Sequence, residues 1–427
     1  MRRLPLGWIS RDGRVIILAS GLRSFGVGLA VVVLGVYLAE IGMSLGQVGA
    51  FFTAGAAGSA LLTFLAGLLA DRFGRRQMFI AITLVQAVPI VALVLTDDVA
   101  MLIAASFFGA ISGVPGRGPV QPLEQASIAT AAEDRRRTDA FAVYRIVSTV
   151  AVAAGSLAAG LAPVIADVFG IDGLTAQKVL LAGYGVGLLA TEALYLLTAH
   201  EARPAGGARA GLTNPFKLPS RRVIFTLSAL FSIDHFAGAL IVQSLVAYWF
   251  NTRYGFELRS LAWIFFVSNV LAAISLWAAA RIANRIGLIN TMVFTHIPSS
   301  LLLVAAAFAP FGWLAVVFWQ VRSFLGQMDV PTRDSYTMAI VGPEERVAMA
   351  SVHLTGRSIA GTAGPAVATA LWQATTAAAP FVACAVIKIA YDLSLYAVFS
   401  NVRTPEEEAR HNLKSGPEAG PASVADE

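Results

Sequence analysis

Apolar stretches long enough to cross a bilayer recur along almost the whole of this sequence, and no other feature narrows the choice of folds so far. A helix rises about 1.5 Å per residue and so needs about 20 residues to cross a hydrocarbon core about 30 Å thick. No water reaches the backbone in that core, so its polar groups must bond within the segment, as a helix allows. Composition agrees, with 57% of residues hydrophobic and 13% charged, where soluble domains carry about 25% charged residues. The reading is an all-α membrane protein with no room for a sizeable soluble domain.

Hydrophobic runs place six spans near 14–38, 45–70, 77–95, 100–127, 140–166 and 179–197. The polar stretch 200–222, with Pro204, Gly206, Gly207, Pro215, Pro219 and five Arg or Lys, follows as a linker. Six further spans are expected near 223–250, 261–280, 289–309, 311–338, 347–372 and 381–399. The organisation expected is a six-helix bundle over 1–198, a cytoplasmic linker over 199–222, a second six-helix bundle over 223–402 and a disordered cytoplasmic tail over 403–427. The first apolar run is too long for a signal-peptide core and is taken as the first span.

Basic residues set the orientation, because Lys and Arg in short loops resist translocation. Arg72, Arg75 and Arg76, Arg135 to Arg137, the linker, and Arg281 with Arg285 alternate with arginine-poor turns such as Thr96-Asp97-Asp98. Both termini are therefore expected in the cytoplasm, with the chain integral to the cell (inner) membrane. The pI near 9.5 reflects these topology charges rather than nucleic-acid binding. The single Cys384 permits no intrachain disulfide and no zinc cluster.

The two halves repeat each other. Phe25 and Tyr37 fall 211 residues before Phe236 and Tyr248; Ala70-Asp71-Arg72-Phe73-Gly74 falls 213 before Ala283-Asn284-Arg285-Ile286-Gly287; Arg145 falls 212 before Arg357. Coincidences at nearly one offset point to a duplicated unit, a common construction of transporters.

Between spans two and three stands Gly67-Leu68-Leu69-Ala70-Asp71-Arg72-Phe73-Gly74-Arg75-Arg76. Gly67 permits close helix packing, Asp71 offers a charge to a helix N-terminus or an arginine, Gly74 makes the turn, and the arginines hold the cytoplasmic end. The segment resembles, without a gap, the G-x-L-A-D-R-x-G-R-R signature of the major facilitator superfamily, and the resemblance extends over essentially all the spans. It implies twelve helices in two pseudo-symmetric six-helix bundles, a monomer, and a pathway lined by spans one, four, seven and ten. It also implies a latch in which Gly67, Asp71, Arg72, Gly74, Arg75 and Arg76 stabilise the outward-open state. The second copy has Asn284 in place of Asp71, and Gly160-Leu161-Ala162-Pro163 departs from the family's antiporter signature.

Ionisable groups inside a bilayer cost about 2.5–3.5 kcal/mol each at the helix centre and so mark function or pairing. In span ten, Trp319, Arg322, Gly326, Asp329 and Arg333 share one helix face, reading either as a cavity wall or as a self-neutralising Asp329–Arg333 pair. Asp234 and His235 lie mid-way along span seven, and the repeat sets Arg23 opposite Asp234, an Arg/Asp pair that a proton could break; Asp234 ranks above His235 as the coupling site. In proline-rich span four, Arg117, Gln121 and Glu124 could face the pathway. Arg357 lies a turn beyond His353 and is read as binding substrate or bridging helices, bridging being preferred. Lys388 and Asp392 are expected to pair with each other and, with Glu192 and His296, to be peripheral.

No phosphate-binding loop, H-E-x-x-H or G-x-S-x-G motif occurs in this sequence, which argues against an ATP-driven pump and against a membrane-embedded enzyme. The expected function is secondary transport of a small molecule by alternating access, as proton-coupled efflux, with carriage of a small anion as the alternative and a non-transporting sensor behind it. The partners expected are the lipid bilayer, a small-molecule substrate and protons, with no cofactor beyond a proton gradient.

Overall fold

The computed structural model describes residues 7–109, 111–114, 118–131, 136–198, 218–342 and 345–399. The described residues form helices joined by short turns. They run α1 (Arg11–Glu40), α2 (Leu45–Phe73), α3 (Arg75–Leu95), α4 (Val99–Gly109), α5 (Gln121–Thr130), α6 (Arg137–Ala158), α7 (Ala162–Phe169) and α8 (Gly173–Leu196). After the linker follow α9 (Arg221–Ala239), α10 (Gln243–Tyr254), α11 (Leu258–Ile286), α12 (Leu288–Phe308), α13 (Gly312–Leu325), α14 (Asp329–Ala339), α15 (Arg346–Thr362), α16 (Gly364–Ala374) and α17 (Ala379–Phe399). Among the described residues, nine stretches are long and apolar enough to cross a membrane unaided. The pairs α4/α5, α13/α14 and α15/α16 each occupy one further expected span in broken form, consistent with twelve passages. The predicted spans thus reappear in order, while the linker up to residue 217 and the tail lie outside the described residues.

Caps fix the helix ends. Ser10 Oγ accepts from the Gly13 N–H at 3.1 Å, and Ser44 and Gln47 close a reciprocal box at the start of α2. The repeat is visible in the backbone. Gly74 and Gly287 adopt φ of 88° and 90°, and each N–H bonds the carbonyl four residues back, Ala70 and Ala283, at 2.8 and 2.9 Å. Only glycine takes this φ without strain, so each copy needs one where the helix turns into the next.

Large apolar side chains cover much of the outside, among them Phe64, Leu68, Phe169, Trp277 and Ile359, as a lipid-facing surface requires. Within the first set of helices α1 packs on α6 and α8, α2 on α4, and α3 on α8. Within the second, α9 packs on α15 and α17, α12 on α13 and α17, and α11 on α13.

The two sets meet mainly at the end remote from the start of α1. There Ser244 Oγ donates to Val31 O at 2.7 Å and the Ala366 N–H to Thr53 Oγ1 at 2.9 Å. Gly35 lies against Ala247, Gly49 against Thr369, and Gly160 against Ala262. Further in, Asn269 Nδ2 donates to Ser156 Oγ at 3.2 Å. At the same remote end Asp97, between α3 and α4, is held below the usual carboxylate range by its hydrogen bond from Lys178, at 2.8 Å.

Candidate functional site

Charged side chains inside the bundle gather in two clusters, one in each set of helices. In the first, Arg23 of α1 reaches Glu124 of α5 through two contacts, Nη2 to Oε2 at 2.6 Å and Nε to Oε1 at 3.3 Å. Tyr144 of α6 and Tyr195 of α8 donate their hydroxyls to the same carboxylate at 2.8 and 2.7 Å. Phe79 stacks on Tyr195 with ring centroids 4.4 Å apart and closes the cluster. Glu124 is fully buried and Arg23 nearly so. A buried carboxylate with a forked guanidinium and two phenols has its lone pairs well satisfied, the condition under which an ion pair survives removal from water.

The second cluster draws on α9, α12, α14 and α17. Asp234 accepts from Arg333 Nη1 at 2.8 Å on one oxygen and from Lys388 Nζ at 2.5 Å on the other. Arg333 Nη2 also meets Asp329 at 3.1 Å, one turn back on its own helix. Behind Lys388 lies His296, its Nε2 3.2 Å from Nζ and its Nδ1 2.9 Å from Asp392 Oδ1. All six side chains are buried. Three carboxylates here face an arginine, a lysine and one imidazole, each buried charge with an oppositely charged or hydrogen-bonding neighbour.

Beyond that cluster, at the end of α13, Arg322 lies over the Trp319 ring with its guanidinium carbon 4.7 Å from the centroid. Trp319 itself is buried, donating its indole N–H to Ser268 Oγ of α11 at 3.0 Å and packing edge-on against Phe250 and Phe265.

Several expectations are corrected by this geometry. Arg23 does not face Asp234, because α1 packs against α5, α6 and α8 while Asp234 is enclosed by α14 and α17; each charge takes its partner within its own set. Glu124 does not face a pathway, since Arg23, Tyr144 and Tyr195 enclose it completely. Lys388 and Asp392 do not pair with each other: Lys388 turns to Asp234 and Asp392 to His296, so residues read as peripheral complete the cluster. The signal that could have found them is an ionisable residue in each of spans nine, ten and twelve that must all be neutralised inside one bundle. Span ten holds its i,i+4 Asp329–Arg333 pair, but 326–328 break the helix, and Trp319 packs into an aromatic cluster instead of lining a wall.

The remaining residues are placed as follows. His235 is half-buried beside Gly361 of α15, and Arg357 Nη1 lies 3.4 Å from His353 Nε2. Gln121 opens α5 and is half-buried. In the α2–α3 turn, Arg75 donates to Ala126 O at 3.4 Å and Arg76 to Leu196 O at 2.7 Å, tying the turn to α5 and α8, while Arg72 lies over the Phe73 ring. Arg117 and the side-chain positions of Gly67 and Asp71 lie outside the described residues.

Comparison with known proteins decides the family. The family model for the Major Facilitator Superfamily matches residues 16–365. The chain belongs to the Major Facilitator Superfamily. Among its superfamily-fold neighbours is the nucleoside transporter NupG, 14% identical, with 91% of this chain and 99% of that one covered at a TM-score of 0.71. A bacterial homologue of the human lysosomal transporter Spinster, in an inward-facing and unoccupied conformation, is 16% identical over 92% of this chain and 98% of its own, also at 0.71. The xylose transporter XylE of E. coli, inward open, gives 0.68 at 13% identity, covering 93% and 99%. In sequence, an uncharacterised membrane protein of Saccharomyces cerevisiae is 22% identical over 394 residues, 83% of this chain and 87% of that protein. The fold and family make this superfamily member an integral membrane transport protein.

Proposed function

We propose that this superfamily member is a proton-coupled secondary carrier, exporting a small organic compound by alternating access, with Asp234 as the coupling carboxylate. The observation that carries the reading is the buried cluster in which Asp234 links Arg333 of α14 to Lys388 of α17, with His296 and Asp392 behind. Protonating Asp234 changes the attraction between helices that those charges hold together. The proton balance of this one cluster then biases how α9, α14 and α17 pack.

Alternating access is supported by where the two helix sets touch. Their contacts through Ser244, Ala366 and Gly160 lie at the end remote from the start of α1. With both termini in the cytoplasm, as the arginine distribution indicates, that seal is the outer gate. Arg75 and Arg76 hold the α2–α3 turn to α5 and α8 within one helix set, which leaves that set able to move as a body.

The test is reconstitution of the full chain in liposomes carrying a pH-sensitive dye, with imposed gradients of either sign and a panel of organic compounds. Compound-dependent proton movement in the wild type, lost in Asp234→Asn, is the expected result. Compound movement with no proton flux, unaltered in Asp234→Asn, would sink the coupling mechanism. The sign of the gradient that drives flux reads the direction.

A further inference from the structure

Arg322 differs from the other cations inside the bundle. Arg23, Arg333 and Lys388 are buried, and each has a carboxylate within 3.1 Å. The Arg322 side chain makes no ion pair and no side-chain hydrogen bond with any described residue, and its Nε is shut off from solvent without a partner. The titratable group beside it is the buried Cys384 thiol, which carries no counter-charge. Its contact is the face of Trp319. An indole face offsets only part of what a guanidinium loses on leaving water, so this charge is held without compensation.

The holding is nevertheless firm. Trp319 is fixed by its bond to Ser268 and by edge contacts to Phe250 and Phe265. The Arg322 carbonyl is bonded by the Gly326 N–H at 2.8 Å, at the break between α13 and α14. The guanidinium is thus stacked on a rigid ring, its Nε has no acceptor among the described residues, and the side chain is only partly buried. A planar fork of donors on a fixed aromatic plate, with no acid of its own among the described residues, is built for a planar oxyanion.

We propose that Arg322 stacked on Trp319 is the substrate-recognition subsite and that it takes the carboxylate of a small organic acid. This rests on the carrier reading above and narrows its cargo to an anion. The bound carboxylate supplies the counter-charge the protein withholds, so the empty subsite is strained electrostatically and the filled one is not.

The test uses the purified full chain in detergent and follows thermal unfolding with lactate, succinate and benzoate, each set against its own amide. At least one acid is expected to stabilise the protein while its amide does not. Arg322→Gln should weaken that response about tenfold or more, the scale of one lost charge-assisted bond. Arg322→Lys should keep part of it, since the charge stays and the fork goes. Without ligand, Arg322→Gln should unfold no lower than the wild type, because it removes a charge that nothing balances; a merely structural arginine would do the opposite. Equal responses to acid and amide in every pair, a response that survives Arg322→Gln, or a destabilised ligand-free Arg322→Gln would each overturn the subsite. Acid binding lost in Arg322→Gln, with no compound crossing liposomes, would sink the carrier reading and leave the subsite standing. Proton-coupled flux with no preference for acids would do the reverse.

Discussion

At the scale of single residues, a buried charge stands or falls with its partner. Glu124 receives Arg23 and two tyrosine hydroxyls in a site closed to solvent. Glu124→Gln leaves Arg23 with no counter-charge, and removing one member of a buried pair costs about 3–5 kcal/mol. Tyr144→Phe deletes one hydrogen bond to a charged acceptor, about 1.5–3 kcal/mol. Thermal unfolding in detergent should therefore rank wild type above Tyr144→Phe above Glu124→Gln; a Glu124→Gln protein as stable as the wild type would show that the carboxylate is not the charge holding Arg23. That these residues carry charge into the membrane was legible in the sequence. Which charge meets which was not, because a helix face can be inferred from spacing while the neighbour it meets is set by packing between helices far apart in sequence.

At the scale of helices, a tight crossing joins α1 to α6 through reciprocal glycines. A Cβ on Gly28 would lie 2.2 Å from Val152 O, and one on Gly155 would lie 1.9 Å from Phe25 O. No side chain fits there without separating the two backbones, and small residues at such crossings let helices approach where lipid offers no hydrophobic drive to associate. Gly155→Leu should lower the unfolding temperature, corresponding to about 1–3 kcal/mol of overpacking or more, whereas Gly173→Leu, where a Cβ meets nothing within 4 Å, should leave it unchanged. Equal effects at both positions would count against a crossing built on Gly155. Pro331 and Pro365 stand just past the breaks at 326–328 and between α15 and α16; proline marks where a helix can break, and tertiary contacts decide whether it does.

At the scale of the whole molecule, the contacts between the two helix sets sit mainly at one end, and the alternating access proposed above requires them to open. Cβ atoms at Gly160 and Ala262 would lie 3.1 Å apart, close to the span a disulfide bridges, about 3.5–4.5 Å. Gly160→Cys with Ala262→Cys should cross-link on oxidation and stop transport, with recovery on reduction. Undiminished transport by the cross-linked protein would show that this end does not open. Buried Cys384 lies elsewhere, on α17.

The sequence by itself determined that the chain spans a membrane, in which order its helices run, and that its halves are copies, because lipid demands long apolar helices and duplication leaves its offset in the residues. Only the tertiary structure decided that Asp234 belongs with Lys388 and Arg333 rather than with Arg23, that His296 and Asp392 stand behind it, and that Arg322 meets no acid among the described residues. Those outcomes rest on which helices pack side by side. That choice is made by close contacts among small residues such as Gly28, Gly155 and Gly160, whose partners in space no local pattern of charge or hydrophobicity records.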